Sequence, residues 1–231
     1  MSDAVRLPFE DRAAAGRALA EALTRKRFAD PIVLALPRGG VTVALPIAQR
    51  LAAPLDLLLV RKIGVPYQPE LAVAAVMDGE SPVLVIDEPI RAETGASRDY
   101  IERQAQVQLA EIERRRRAYL GGRAPLPVAG KTAIVVDDGI ATGTTMRAAV
   151  KGLRQRGPAR IVIAVPVAPP ETVAALRREV DDVVCLAQPE PFGAIGYFYR
   201  DFHQLSDDEV MAAIAAAPGA GGAPGPAPES V

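Results

Sequence analysis

Ala133-Ile134-Val135-Val136-Asp137-Asp138-Gly139-Ile140-Ala141-Thr142-Gly143-Thr144-Thr145 is the stretch whose reading decides the fold. Four consecutive apolar residues, Ala133–Val136, predict a strand buried on both faces, because a half-buried strand would alternate. Two acids stand at its C-terminal end, a loop of glycines and threonines follows, and a helix is expected to open at Thr144. In an open α/β sheet, ligands bind outside the carboxyl ends of the strands. Successive N–H groups at a helix N-terminus favour an anion, and glycine lets a phosphate come close. A Walker loop needs Lys after its last glycine, where this chain has Thr144; a dinucleotide fingerprint needs glycines where it has two acids. Adjacent carboxylates ahead of a phosphate cradle suit a ligand with vicinal hydroxyls beside its phosphate, as in a ribose 5-phosphate. A capping Asp in a tight turn would explain Asp138 and Gly139 but not the whole run.

Outward from this stretch, short apolar runs alternate with helical patterns. Strands are predicted at Ile32–Leu36, Leu57–Val60, Leu71–Met77, Val83–Ile86, Ala133–Val136, Ile161–Val165 and Val183–Leu186. Helices are predicted at Arg12–Arg27, Val41–Ala52, Ser97–Leu120, Thr144–Arg156 and Glu171–Glu179. This alternation implies a mostly parallel central sheet flanked by helices. Asp78-Gly79 just before Val83–Ile86 reads as a hairpin return, hence a locally antiparallel element. Pro46 falls inside the second helical pattern and should kink or delay that helix. Ile101, Ala105, Leu109 and Ile112 share one face of the long helix, and Arg114–Arg117 near its end read as a solvated face complementing the helix C-terminus.

The whole chain has 231 residues, 49% hydrophobic and 24% charged, with a formal net charge of −1. That balance argues against an overall electrostatic grip on nucleic acid or an anionic membrane. One cysteine, Cys185, and one histidine, His203, exclude an internal disulfide and a Cys-based zinc site. The first residues lack the apolar stretch of a signal peptide, and no run approaches a membrane span, so a cytoplasmic protein is expected. Residues 218–231, rich in Gly, Pro and Ala, are expected to be a disordered tail, which leaves 1–217 as one domain. Five of the ten aromatics lie between Phe192 and Phe202. Phe192 and Tyr197 are candidates to stack on a planar acceptor; the alternative is a small satellite core that anchors the C-terminal segment.

Val135–Thr145 resembles the signature by which type I phosphoribosyltransferases bind 5-phosphoribosyl 1-pyrophosphate (PRPP). The resemblance implies that fold, an α/β domain with a small hood. It also implies that Asp137 and Asp138 bind the ribose hydroxyls and that Ala141, Thr142, Gly143, Thr144 and Thr145 bind the 5-phosphate. Leu36-Pro37-Arg38-Gly39-Gly40 resembles the family's pyrophosphate loop, and Arg61-Lys62-Ile63-Gly64-Val65-Pro66 the start of its mobile catalytic loop. By that resemblance Arg38, Gly39, Arg61 and Lys62 meet pyrophosphate, with Lys62 joining Asp137 and Asp138 in catalysis. All three segments follow predicted strands, so they can converge on one crevice. The stretch Arg61–Leu71 carries Gly64, Pro66 and Pro69, a composition expected to resist helix and strand and to form a lid.

Phe9-Glu10-Asp11-Arg12, Gly16-Arg17, the segment from Arg61 to Gly79 and Pro189-Glu190-Pro191-Phe192 resemble a bacterial phosphoribosyltransferase-like subfamily of unassigned acceptor. The implied activity is transfer of a phosphoribosyl group to a small acceptor with Mg²⁺ held mainly by PRPP oxygens and water. No protein metal site, nucleic acid or membrane is expected, and a homo-oligomer is allowed. A PRPP-binding sensor with little turnover, or hydrolysis or phosphorolysis in the same crevice, stays open.

Overall fold

The structure, a computed structural model, describes residues 6–78 and 82–218. Its centre is a five-stranded parallel sheet in the order β2 (Leu55–Leu57), β1 (Pro31–Ala35), β6 (Thr132–Val136), β7 (Arg160–Val167), β8 (Asp182–Ala187). Successive side chains of these strands enter opposite layers. Val33, Ala35, Ile134 and Val136 join a core with α1 (Arg12–Thr24) and α2 (Gly39–Leu51). Ile32, Leu34, Ala133 and Val135 join another with α5 (Thr144–Arg154) and α6 (Pro170–Leu176). Both faces are therefore covered, as the unbroken apolar runs required. The tail expected at 218–231 lies, Pro218 apart, outside the described residues.

The predicted strand Leu57–Val60 divides in two. Its start belongs to β2, which the structure extends back to Leu55, while Val60 opens β3 (Val60–Val65) of a second, antiparallel sheet. That sheet has the order β3–β4–β5, with β4 at Gln68–Met77 and β5 at Val83–Ile86. The antiparallel return into β5 is as expected, with Met77 opposite Val83. The expected irregular lid at Arg61–Leu71 is instead a hairpin. Its register shifts on either side of Gly64, and a Cβ there would sit 2.2 Å from the Pro69 carbonyl oxygen. Gly64 sits on the edge strand β3, Pro66 in the turn, and Pro69 in the stretch of β4 between the Gln68 and Ala72 pairings, where the register shift leaves it without a ladder partner.

Two helical expectations also change. Pro46 does not delay α2, which starts at Gly39 and runs through it. Helices α3 (Glu88–Thr94) and α7 (Asp207–Ala215) were not foreseen, although Ser206-x-x-Glu209 is a capping box in the sequence and closes as one. The long helix, α4 (Arg98–Leu120), packs on β3 and β4.

Within the Arg114–Arg117 run only three residues face solvent pairs. Arg114 and Arg115 bond Glu111 and Arg117 bonds Glu113, but Arg116 is buried. It lies one turn beyond Ile112 on the apolar face, so the face's own periodicity carries it inward. There its NH2 donates to Asp56 at 3.1 Å and its NH1 to Asp78 at 2.5 Å, while Arg123 donates to Asp56 at 3.3 Å. This network ties α4 to β2 and to the end of β4. Arg116→Ala would leave Asp56, only 2% exposed, beside a single half-buried cation. We expect a loss of about 3–5 kcal/mol, measured by urea unfolding.

The same network predicts a pH signature. Burial pushes the Asp78 carboxyl from 3.8 up to about 6, against the lowering pull of Arg116. Folded Asp78 then keeps a proton that unfolded Asp78 has released, so its contribution to stability falls as pH rises from 3.8 to about 6 and is flat above. Two pKa units correspond to about 3 kcal/mol. Asp78→Asn should flatten the fall of the unfolding free energy between pH 4 and pH 6 by that order; an unchanged slope would refute the assignment.

Candidate functional site

The site begins where β1 and β6 end side by side. The Leu36 amide donates to the Val136 carbonyl at 2.9 Å, extending the ladder past Ala35 opposite Val136. The chain leaving β1 turns into α2 at Gly39, directly against the chain leaving β6. A Cβ on Gly40 would lie 2.6 Å from the Val136 carbonyl oxygen, and one on Gly39 would lie 1.9 Å from the Asp138 Oδ2. The two glycines are thus demanded by close approach.

Asp137 and Asp138 diverge. Asp137 lines a cavity of about 280 Å³ with Leu36, Pro37, Arg61, Arg115 and Thr145 among its walls. Its Oδ1 accepts from the Asp138 amide at 2.9 Å, and its other oxygen has no hydrogen-bond partner among the described residues. Burial, then the neighbouring Asp138 charge, raises its pKa well above the usual carboxylate value. Asp138 turns the other way, accepting from Arg12 Nε at 2.8 Å, while its carbonyl accepts from the Tyr199 hydroxyl at 2.5 Å. Burial raises the Asp138 carboxyl too, against the pull of Arg12.

The following loop is an open cradle. Gly143 adopts φ +77°, a left-handed conformation that favours glycine, and forms the N-cap of α5. Thr172 Oγ1 donates to the Ala141 carbonyl at 2.9 Å, and the Ile140 amide donates to Val167 at 2.9 Å, which anchors the loop from behind. Ala141, Thr142 and Thr144 are exposed, the two threonine hydroxyls lying 3.1 Å apart. The first amides of α5 have no partner within the helix and point at this space.

Two expected site residues, Lys62 and Arg38, are placed differently from the single-crevice picture. Arg61 and Lys62 are consecutive on a strand and so face opposite sides of the small sheet. Arg61 turns toward α4, with Nε donating to Gln108 at 2.9 Å, and lines the Asp137 cavity; Lys62 turns toward α5 and a different cavity. Arg38 NH1 donates to the Leu205 carbonyl at 2.7 Å and lies 3.8 Å from Asp207, holding the C-terminal segment. Phe192 packs against Phe198 at 5.0 Å in a satellite core built on Phe9 and Tyr199, whereas Tyr197 is 77% exposed.

That satellite core joins the two ends of the chain into a hood. The Phe9 amide donates to Phe198 and the Arg200 amide to Phe9, both at 2.8 Å. Arg12 lies over the Phe202 ring at 3.9 Å, and its NH1 donates to the His203 carbonyl at 2.9 Å. His203 itself bridges Asp201 and Glu209 through its two ring nitrogens, which raises its pKa. Arg12 and Tyr199 had no sequence-assigned role in the site, and Arg115 was expected only on a solvated helix face. Arg12 follows the quoted Phe9-Glu10-Asp11, but nothing local to it points to residue 138.

A family model described as a phosphoribosyl transferase domain matches residues 9–199. A Mycobacterium tuberculosis protein (strain H37Rv), provisionally named a phosphoribosyl transferase, is 47% identical over 207 residues, covering 88% of this chain and 46% of its own. The chain thus spans a little under half the length of that relative. A crystal structure of the Thermus thermophilus protein TT1426 is 41% identical with a TM-score of 0.81, covering 92% of this chain and all of that one.

The close approach at Gly39 yields a direct test. Gly→Ala inside an ordinary helix stabilises by up to about 1 kcal/mol. Here the added methyl must push aside a carboxylate that Arg12 holds in place. Gly39→Ala should therefore destabilise by about 2–4 kcal/mol, and Gly40→Ala, against backbone, by at least as much. A rise in Tm for either variant would contradict the packing described.

Proposed function

The chain belongs to the phosphoribosyl transferase domain family, and from that premise we propose that it binds PRPP and transfers the 5-phosphoribosyl group to a small nucleophile as pyrophosphate leaves. The observation that carries this reading is the shared cavity of Asp137, Arg61, Arg115 and Thr145, set beside the open cradle at Ala141–Thr144. One arm of that arrangement suits a 5-phosphate, one a ribose and one a diphosphate.

In this reading the amides and hydroxyls of Ala141, Thr142, Gly143, Thr144 and Thr145 hold the 5-phosphate. The unpartnered oxygen of Asp137 accepts from a ribose hydroxyl, and Asp138 orients Asp137 through its amide. The Gly39 and Gly40 backbone, with Arg61 and Arg115, faces the diphosphate. The bond from C1 to the diphosphate oxygen breaks, its electron pair leaving with pyrophosphate, and the acceptor's lone pair forms the new bond at C1. Positive charge developing on the ring lies near Asp137, whose ionised form favours it. Water is kept from C1 by the hood on one side and the β3–β4 hairpin on the other. The acceptor would approach from the hood, where Phe192 and Tyr197 sit.

No group of three or more His, Cys, Asp and Glu able to hold a metal occurs among the described residues. The donor set suits Mg²⁺ held from the ligand side, because the free Asp137 oxygen is a hard donor and magnesium keeps water and phosphate oxygens around it. When bound, the ion would offset the diphosphate charge. No helix among the described residues is long and apolar enough to cross a membrane.

A sensor that binds PRPP without turnover is favoured by one specific observation. Arg38 is engaged in holding the C-terminal segment and Lys62 faces a different cavity, which leaves fewer cations to assist departure of pyrophosphate. Calorimetric titration with PRPP and Mg²⁺, with pyrophosphate release across a panel of bases, phosphate and water, separates the two. We expect release with one acceptor, PRPP binding at least tenfold weaker in Asp137→Asn, and kcat/KM at least tenfold lower in Arg61→Ala. Tight binding with no release would assign the sensor, and no PRPP binding would remove both readings.

A further inference from the structure

Four lysines occur in the chain. Lys26 and Lys131 are spent in ion pairs, with Asp182 at 2.7 Å and with Asp30 at 2.5 Å. The remaining two, Lys62 and Lys151, have no hydrogen-bond or ion-pair partner among the described residues, and both line one cavity of about 250 Å³. Arg147 lines it as well, with Nε bonded to Glu179 at 3.0 Å and NH1 to the Thr142 carbonyl at 3.4 Å. Asp87 is the one acid among its lining residues, and its Oδ1 is occupied in capping α3 through the Ile90 amide. The cavity therefore has a surplus of positive charge that the described residues do not answer.

Its shape follows from the register of the small sheet. Lys62 pairs with Ala75 and Ala75 with Val85, so these three share the face turned to α5. On α5 itself, Arg147 and Lys151 are four residues apart and so lie on one side of the helix. Cations thus stand along one wall and across from it, over a floor of Ala75, Val85 and Ile90. The Asp137 cavity lies on the other side of β3, where Arg61 points. An arrangement of two free ammonium groups and a guanidinium over small apolar side chains matches a dianionic phosphate ester with a short apolar body.

We propose that this cavity, between α5 and the β3–β4–β5 sheet, is a second binding site that takes a small phosphate monoester, separate from the PRPP site proposed above. The phosphate meets Lys62, Lys151 and Arg147, and the organic part lies on the alanine and valine floor. The two sites adjoin through the threonine pair at the start of α5: Thr144 lines this cavity and Thr145 the Asp137 cavity.

Pyridoxal 5′-phosphate tests the site on the full chain without any reference to turnover. Its phosphate would dock on the cations, its aldehyde would condense with a lysine ε-amine with loss of water, and borohydride would reduce the imine to a stable secondary amine. Peptide mapping then identifies the labelled lysine. We expect label on Lys62 or Lys151 at least tenfold above Lys26 and Lys131, little label from pyridoxal lacking the phosphate, and protection by butyl phosphate at lower concentration than by inorganic phosphate. Lys151→Gln should cut labelling of Lys62 at least fivefold, because the anchoring charge is lost. Equal labelling of all four lysines, or no protection by butyl phosphate, would overturn the site. Unchanged Lys62 labelling in Lys151→Gln would also overturn it, by placing the reagent on the threonine loop instead. None of these readouts needs PRPP to bind, so the proposal can fail while the transferase reading stands, and the reverse.

Discussion

The parallel pairing of β1 with β6, Ala35 opposite Val136, is the constraint from which the rest of the site follows. It brings two loops out of the sheet at the same level, one leading to Gly39-Gly40 and the other to Asp137-Asp138. At that separation no side chain fits on the β1 side, as the 1.9 Å and 2.6 Å approaches at Gly39 and Gly40 show. The glycines in turn let α2 start immediately, and the acids occupy the space that a side chain would have taken. A shift of one residue in this register would exchange the two core layers and dismantle both loops together.

The second consequence is a division of labour between adjacent carboxylates. Asp137 stays at the cavity wall while Asp138 is drawn into a buried ion pair with Arg12. Breaking such a pair leaves an uncompensated buried charge, so the penalty falls on whatever moves either partner. Arg12 also carries the hood, through Phe202 and the His203 carbonyl, and Arg38 holds the next turn through Leu205. The first helix, the acidic loop and the C-terminal segment therefore form one mechanical unit.

The small antiparallel sheet adds a further layer by sorting side chains between two helices. Its face toward α4 carries Arg61, and its face toward α5 carries Lys62 and Met77, the latter packed where a Cβ on Gly152 would lie 2.8 Å away. Two neighbouring cations thereby serve two cavities. The buried Asp56–Arg116–Asp78 network holds the other end of this sheet to the central one.

Local pattern was enough for the central sheet, its flanking helices, and the strand–acid–glycine–threonine run, because each rests on residues close in sequence. Unbroken apolar strands have to be covered on both sides, and Gly143 with its flanking threonines has to turn into a helix. Nothing local could assign Arg12 to Asp138, 126 positions away, or Arg38 to Leu205, because an arginine reads alike whether it meets ligand, solvent or a distant carbonyl. Nor could composition separate a hairpin from a lid at Arg61–Leu71, since what accommodates Gly64 and Pro69 is a register shift at a sheet edge. Arg116, expected on a solvated face with its neighbours, lies one turn beyond Ile112 on the apolar one, and only the tertiary structure supplies Asp56 and Asp78. Burying a charge is tolerable only where opposite charges from other elements arrive at the same place, and that meeting is a property of the packed chain.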